Sequence, residues 1–155
     1  MDTHSPEQRS YNMSRIRGKD TQPELLVRRW LWKNGYRYRL HRTDLPGKPD
    51  IVMKKYKAVI LVHGCFWHRH GCKLSSTPTT HQNFWHNKFR NTVDRDQRNI
   101  SALLELSWRV MVIWECSLSR GRFPSKELSE EIRCFLNSDL PFTETGIEQK
   151  SLPTR

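Results

Sequence analysis

The stretch Ile51-Val52-Met53-Lys54-Lys55-Tyr56-Lys57-Ala58-Val59-Ile60-Leu61-Val62 decides the architecture. It holds two apolar runs, Ile51–Met53 and Ala58–Val62, separated by a short basic turn at Lys54-Lys55-Tyr56. Both runs are too short for a helix and rich in β-branched residues, so they predict two strands joined by that turn. The second run is apolar at every position rather than alternating. Such a strand is covered on both faces and belongs at the centre of a sheet.

Upstream, Thr21 followed three residues later by Glu24 is a capping box, and Pro23 suits a first helical turn. Leu26, Val27, Trp30 and Leu31 then form a helical stripe that Asn34-Gly35 terminates. Tyr36, Tyr38 and Leu40 alternate with arginines and predict a strand with one buried face. His41 to Pro49 reads as a loop around Pro46-Gly47. Downstream, His63 to Thr80 reads as irregular. Asn83 to Arg90 and Val93 to Leu106 predict two helices, and Arg109 to Trp114 a further apolar strand. Ser125 opens a last amphipathic helix carrying Leu128, Ile132, Phe135 and Leu136, with Cys134 assigned to its apolar stripe. Beyond Ser138 a poorly ordered tail is expected. Helices interspersed with strands in this order predict an α/β fold, a mixed β-sheet flanked by helices.

Composition narrows the function. The 155 residues include 27 Lys and Arg against 16 Asp and Glu, a formal charge of +11. Mean hydropathy is −0.80, yet 35% of residues are apolar and 10% aromatic, which suits one folded domain rather than a disordered basic tail. The longest apolar run falls far short of the ~20 residues of a membrane span. The polar N-terminus carries no secretory signal pattern, so a cytoplasmic location is expected. The basic charge gathers in the first third, at Arg9, Arg15, Arg17, Lys19, Arg28, Arg29, Arg37, Arg39 and Arg42. A polyanion is the natural partner of such a surface, with nucleic acid the first candidate.

Three groups of residues carry chemistry. Asp50 closes Pro-Gly-Lys-Pro-Asp and opens a strand, where a carboxylate can hold a hard cation such as Mg²⁺. Cys65, His70 and Cys72 have the donor chemistry of tetrahedral zinc, and Cys116 could be the fourth ligand; buried thiols near surface histidines are the alternative. Between them, Phe66 and Trp67 read either as a wedge that enters a base stack or, for one of them, as a cover over the zinc site. His63 and His68 remain for acid–base work, since an unperturbed imidazole titrates near ~6.5.

The chain resembles the very-short-patch repair endonucleases, the bacterial T:G mismatch nickases. The stretches that carry the resemblance are Tyr11-Asn-Met-Ser-Arg-Ile-Arg-Gly-Lys-Asp-Thr21, Leu45-Pro-Gly-Lys-Pro-Asp50, His63-Gly-Cys-Phe-Trp-His68, Phe84-Trp85, Arg95-Asp96 and Trp114-Glu-Cys116, in family order. The resemblance implies a restriction-endonuclease-like fold without the usual second carboxylate and lysine. It implies Mg²⁺ held by Asp50 and the backbone carbonyl of Val62, with His68 as general base and His63 close to the scissile phosphate. Glu24 would lie near the metal. A structural Zn²⁺ would be held by Cys65, His70, Cys72 and Cys116. Met13, Phe66, Trp67 and Trp85 would intercalate beside the mispair. Lys88 matches a DNA-contacting lysine. Thr92 stands where the family usually has an Asn that helps read the mispair, and Asn91 is its neighbour. The implied organisation is a DNA-contacting segment at 1–20, carrying Arg15 and Arg17, an endonuclease domain at 21–137 and a tail at 138–155. The implied activity is a nick 5′ to the T of a T:G mismatch left by 5-methylcytosine deamination. The implied partners are mismatched duplex DNA, a companion cytosine-5 methyltransferase and downstream repair proteins, with the chain acting as a monomer. A restriction-like nickase on paired DNA, or a zinc-stabilised DNA-binding module without catalysis, are the rival readings.

Overall fold

The computed structural model describes residues 21–70, 77–118 and 124–145. The apolar run in the middle of the chain becomes the central strand β3 (Ala58–His63), and all six of its residues are buried. Strand β2 (Ile51–Met53) pairs with it antiparallel, Ile51 opposite Ile60. The two are joined by a single 3₁₀ turn at Lys54–Tyr56, which Lys57 leaves in a left-handed conformation. Strand β1 (Arg39–Leu40) pairs antiparallel with β2. On the other side β4 (Arg109–Trp114) runs parallel to β3, and β5 (Phe142–Glu144) parallel to β4. The sheet order is β1-β2-β3-β4-β5.

Helices cover both faces, and the period of two along β3 assigns each residue its layer. Ala58, Ile60 and Val62 join Met111 and Ile113 of β4 under α1 (Gln22–Lys33) and α4 (Lys126–Leu136), where they meet Val27, Trp30, Leu31, Ile132 and Phe135. Val59 and Leu61 join Val110 and Val112 on the opposite face, with Leu103 of α3 (Gln82–Glu105), Trp108 and Cys65. Full burial of each such aliphatic side chain contributes about 1.5–3 kcal/mol. Arg109 ties the layers together at one end. Its guanidinium donates to the carbonyls of Phe135 (2.7 Å) and Leu136 (3.3 Å) at the end of α4, and to that of Tyr56 (3.1 Å). These carbonyls lie at a helix C-terminus and a turn, where strand or helix partners run out.

Several expectations are corrected. The two helices expected at 83–106 are one helix of 24 residues. In its polar middle the buried Thr92 satisfies its hydroxyl by donating to the Lys88 carbonyl at 3.0 Å, four residues back. A single turn, α2 (Cys65–His68), stands inside the stretch expected to be irregular, between Gly64 and the left-handed Arg69. Only Arg39 and Leu40 of the expected Tyr36–Leu40 strand pair with the sheet; Tyr36 instead stacks on Trp30 at 6.0 Å. The tail expected to be loose from 138 contributes β5, because β4 otherwise presents an unpaired edge. Cys134 is exposed rather than packed, one residue off the stripe of Ile132, Phe135 and Leu136. No helix among the described residues is long and apolar enough to cross a membrane.

The loop before β2 is held by a close approach. Gly47 has φ +75°, and a Cβ there would lie 2.7 Å from the Asn99 side chain on α3. Gly47→Ala should therefore lower stability by about 1–2 kcal/mol through left-handed strain and crowding together. Because the Asn99 Cβ itself would lie 2.8 Å away, urea denaturation of Gly47→Ala, Asn99→Gly and the double variant separates the two. The double variant should recover only the crowding part, and full recovery would show that the backbone is not strained.

Candidate active site and metal centres

The site lies where β3 and β4 end and β2 begins, the end of a parallel pair at which α/β sheets bind ligands. The β2–β3 ladder stops at Ile51 opposite Ile60, and the Asp50 side chain continues it. Its Oδ2 accepts the Val62 N–H at 2.9 Å. A residue in a strand directs its N–H and its C=O to the same edge, so the Val62 carbonyl faces the Asp50 side as well. Asp50 is half-buried, and desolvation pushes its carboxyl from 3.8 up to about 6; the Val62 N–H opposes this and the Glu24 carboxylate reinforces it.

Glu24 reaches the same place from the first turn of α1. Thr21 caps that helix, its hydroxyl accepting the Glu24 N–H at 3.4 Å. The Glu24 side chain does not fold back to complete the capping box. It is 2% exposed and accepts hydrogen bonds from Arg28 Nη1 (2.9 Å) and His41 Nε2 (3.1 and 3.2 Å). His41 has φ +47° and donates its own N–H to the Asp50 carbonyl at 3.2 Å. Donor atoms of Glu24, His41 and Asp50 lie within 4.8 Å of one another. Two carboxylates brought together away from water repel, and a divalent cation between them would relieve that, so the donor set suits one.

Beside them His63 and His68 stack face to face, 4.0 Å between ring centres and 5° apart in plane. His63 is the last residue of β3, 7% exposed, with no partner for its Nδ1 among the described residues. Burial lowers it to about 3, with the neighbouring His68 acting in the same direction, so its imidazole is neutral at any working pH. His68 ends α2, and its Nδ1 bonds the Asp96 carboxylate on α3. A carboxylate only accepts, so the proton sits on Nδ1, and Nε2 of the neutral ring keeps its lone pair.

Cys65 points inward at the start of α2. His70 Nδ1 lies 3.7 Å from Cys65 Sγ and 3.3 Å from Cys116 Sγ. Ligands of a tetrahedral ion with the usual Zn–S and Zn–N lengths are about 3.5 Å apart, so the three donors suit a soft divalent cation. Trp114 links this cluster to the histidine pair, stacked on His70 at 4.4 Å and edge-on to His63 at 5.1 Å. Cys72 lies outside the described residues, as do Met13, Arg15 and Arg17.

Phe66 and Trp67 leave the other side of α2 and pack on α3. Phe66 lies 5.7 Å from Trp85 and 5.3 Å from Phe89, and Trp67 lies 5.9 Å from Trp85. The ring that stacks against the Cys/His cluster is Trp114, not Phe66 or Trp67. The aromatic plate is half-buried and extends to Phe84, which is 56% exposed. Lys88 is exposed one turn beyond Trp85, its Nζ 5.7 Å from the Trp67 ring. Asn91 is exposed, whereas Thr92 is buried against its own helix. The structure thus gathers Glu24, Asp50, Val62, His63 and His68 at one sheet end, with the aromatic plate next to them. Sequence reasoning missed His41, whose only signal was its place in a polar loop. It quoted Asp96 without a role.

The sequence model of the family described as DNA mismatch endonuclease Vsr matches residues 1–74. The chain is 49% identical over 118 residues to the Type II nicking enzyme V.XorIIP of Xanthomonas oryzae, covering 76% of this chain and 87% of that one. It is 46% identical over 121 residues to the DNA mismatch endonuclease Vsr of Escherichia coli, covering 78% of this chain and 77% of that one. The chain belongs to the Vsr endonuclease family. A further relative is the Type II nicking enzyme V.NmeAIP of Neisseria meningitidis, 38% identical over 132 residues, which cover 85% of this chain and 94% of that enzyme. Two kinds of Vsr relative are therefore at hand, one named for mismatches and others named as nicking enzymes.

The raised Asp50 carboxyl sets a sign for stability against pH. The folded chain holds this proton more tightly than the unfolded chain does. The stabilisation it brings is complete below the unfolded value near 3.8 and is lost as pH rises through about 6. Asp50→Asn keeps an acceptor for the Val62 N–H and removes the charge. Without added divalent cations it should be more stable than the wild type at pH 8 by about 1–3 kcal/mol, with the advantage gone at pH 4. Urea titrations at the two pH values measure this, and a constant difference would mean that Asp50 is not destabilised by burial.

Proposed function

We propose that the protein is a Mg²⁺-dependent endonuclease that nicks one strand of duplex DNA 5′ to the T of a T:G mismatch left by 5-methylcytosine deamination. The observation that carries this reading is the stacked His63–His68 pair, with His68 anchored on Asp96, set between the Asp50–Glu24 carboxylates and the aromatic plate of Phe66, Trp67 and Trp85.

In this reading His68 Nε2 takes the proton from the water that attacks phosphorus, and Asp96 stabilises the imidazolium that forms. His63, neutral and fixed by burial, donates one N–H to a phosphate oxygen. Asp50 and the Val62 carbonyl hold Mg²⁺, with Glu24 alongside. When bound, Mg²⁺ supplies positive charge for the transferring phosphate and makes the attacking water more acidic. Phe66, Trp67 and Trp85 stack on bases beside the mispair, with Met13 of the N-terminal segment entering from the other groove. Opening a base step costs a few kcal/mol and each aromatic stack returns about 1–3 kcal/mol, so several rings together favour a step already weakened by a wobble pair. Lys88 and Asn91 contact the DNA near the plate, and Arg15 and Arg17 clamp its backbone. Cys65, His70, Cys72 and Cys116 hold a structural Zn²⁺ that fixes both ends of the α2 segment. The expected partners are mismatched duplex DNA, a cytosine-5 methyltransferase and downstream repair proteins, and the expected form is a cytoplasmic monomer.

A second reading follows from the relatives named as Type II nicking enzymes, namely a nickase of paired DNA. Single-turnover nicking of one T:G duplex and its T:A counterpart separates the two. Nicking of the T:G duplex alone is expected, and equal rates on both would favour the second. His68→Ala should lose most of the ~10²–10⁴-fold that a general base contributes, while binding of the duplex stays near normal. A near-normal rate would remove His68 from that role.

Zinc is tested apart from activity. Cys116→Ser should lower zinc content below one per chain and destabilise the fold, because a structural metal contributes directly to folding. Cys134→Ser, exposed and distant in sequence from the cluster, should keep the full complement. Full zinc in Cys116→Ser would exclude that thiol from the set.

A further inference from the structure

We infer that His41 is a nitrogen ligand of the cation assigned to Asp50 and the Val62 carbonyl, joining it from the Glu24 side, and that it makes this site prefer Mn²⁺ to Mg²⁺. The inference rests on the metal site of the proposed function and goes beyond it by naming a third side chain and the metal it selects.

His41 is not tied to the site by sequence neighbourhood alone. Its backbone N–H bonds the Asp50 carbonyl at 3.2 Å, which holds the His41 loop against the start of β2. Its left-handed backbone turns the side chain of a loop residue toward α1, where Nε2 meets both oxygens of Glu24 at 3.1 and 3.2 Å. The cis ligand-to-ligand spacing around a small octahedral cation with metal–oxygen distances of 2.0–2.1 Å is about 3 Å. Nε2 and the Glu24 oxygens already stand at that spacing, and an Asp50 oxygen lies within 4.8 Å of them. On metal entry Nε2 gives its proton to solvent while Nδ1 keeps or takes up one proton, so the ring stays neutral and this nitrogen turns from a donor to Glu24 into a ligand. Arg28 continues to hold Glu24 in place at 2.9 Å.

The chemistry of the donor set gives the selectivity. Mg²⁺ takes oxygen ligands and water, whereas Mn²⁺ accepts one imidazole among carboxylates more readily. A site of two carboxylates and one imidazole, with Glu24 2% exposed, therefore favours the softer ion.

The test uses the full zinc-loaded chain, freed of other divalent ions and without DNA. MnCl₂ binding is followed by electron paramagnetic resonance, and MgCl₂ by its competition with Mn²⁺. Pulsed measurements on the bound Mn²⁺ report coupling to nitrogen-14. The wild type should bind Mn²⁺ about tenfold or more tighter than Mg²⁺ and show an imidazole coupling. His41→Asn, which tolerates a left-handed backbone, should lose that coupling and about tenfold in Mn²⁺ affinity, with Mg²⁺ affinity changed by less than about threefold. His41→Gln is the second variant should the first be poorly folded, and zinc content and circular dichroism report folding for both. An unchanged nitrogen coupling in both variants, or equal losses for the two metals, would overturn the inference and leave His41 as a prop for Glu24. Failure of the T:G nicking assay with His41-dependent Mn²⁺ binding intact would instead overturn the proposed function and keep the site. Normal nicking with His41-independent metal binding would do the reverse.

Discussion

Two carboxylates held side by side with little water between them are the constraint on which the rest of the site depends. Glu24 and Asp50 come from different layers, one from the first turn of α1 and one from the lip of β2. Like charges at this range repel far more strongly than they would in water. The fold offsets the repulsion with Arg28 and His41 on Glu24 and with the Val62 N–H on Asp50. Burial raises the Asp50 carboxyl most and the Glu24 carboxylate adds to it, so the donor set suits a cation. The burial that disfavours the Asp50 charge and the nearness of Glu24 are the features that suit this place to a cation.

The single turn α2 distributes the other chemistry. Its four side chains divide between the core and different points along α3. Cys65 goes into the core beside Cys116 and His70; Phe66 and Trp67 go to α3; His68 goes to Asp96. A metal bound at Cys65 and His70 would fix both ends of this turn, so a soft cation some residues away would set the orientation of His68. Trp114 strengthens the link, because its ring lies against both His70 and His63.

His63 and His68 show how environment separates two like residues. One is buried at the end of the central strand, with no hydrogen-bond partner for its Nδ1 among the described residues, and stays neutral. The other, one helical turn on, has a carboxylate on Nδ1. Stacked rings at 4.0 Å would not both accept a proton, so only one of them suits proton transfer.

The sequence by itself determined the strands β2, β3 and β4, because unbroken or β-branched apolar runs between turn residues have few other solutions. Thr21 and Ser125 likewise marked the starts of α1 and α4, since a hydroxyl followed by an apolar stripe is a local signal. The linear blocks also contained Asp50, Val62, His63 and His68, which the structure brings to one end of the sheet. The tertiary structure alone decided what those residues touch. That β5 closes the edge of β4 follows from pairing across distant segments, which no window of sequence contains. His41 and Asp96 are the sharpest cases. Each lies far along the chain from the side chain it holds, 17 residues for Glu24 and 28 for His68. Their pairing depends on a loop docking on a helix and a helix docking on a turn, and so exists only in three dimensions.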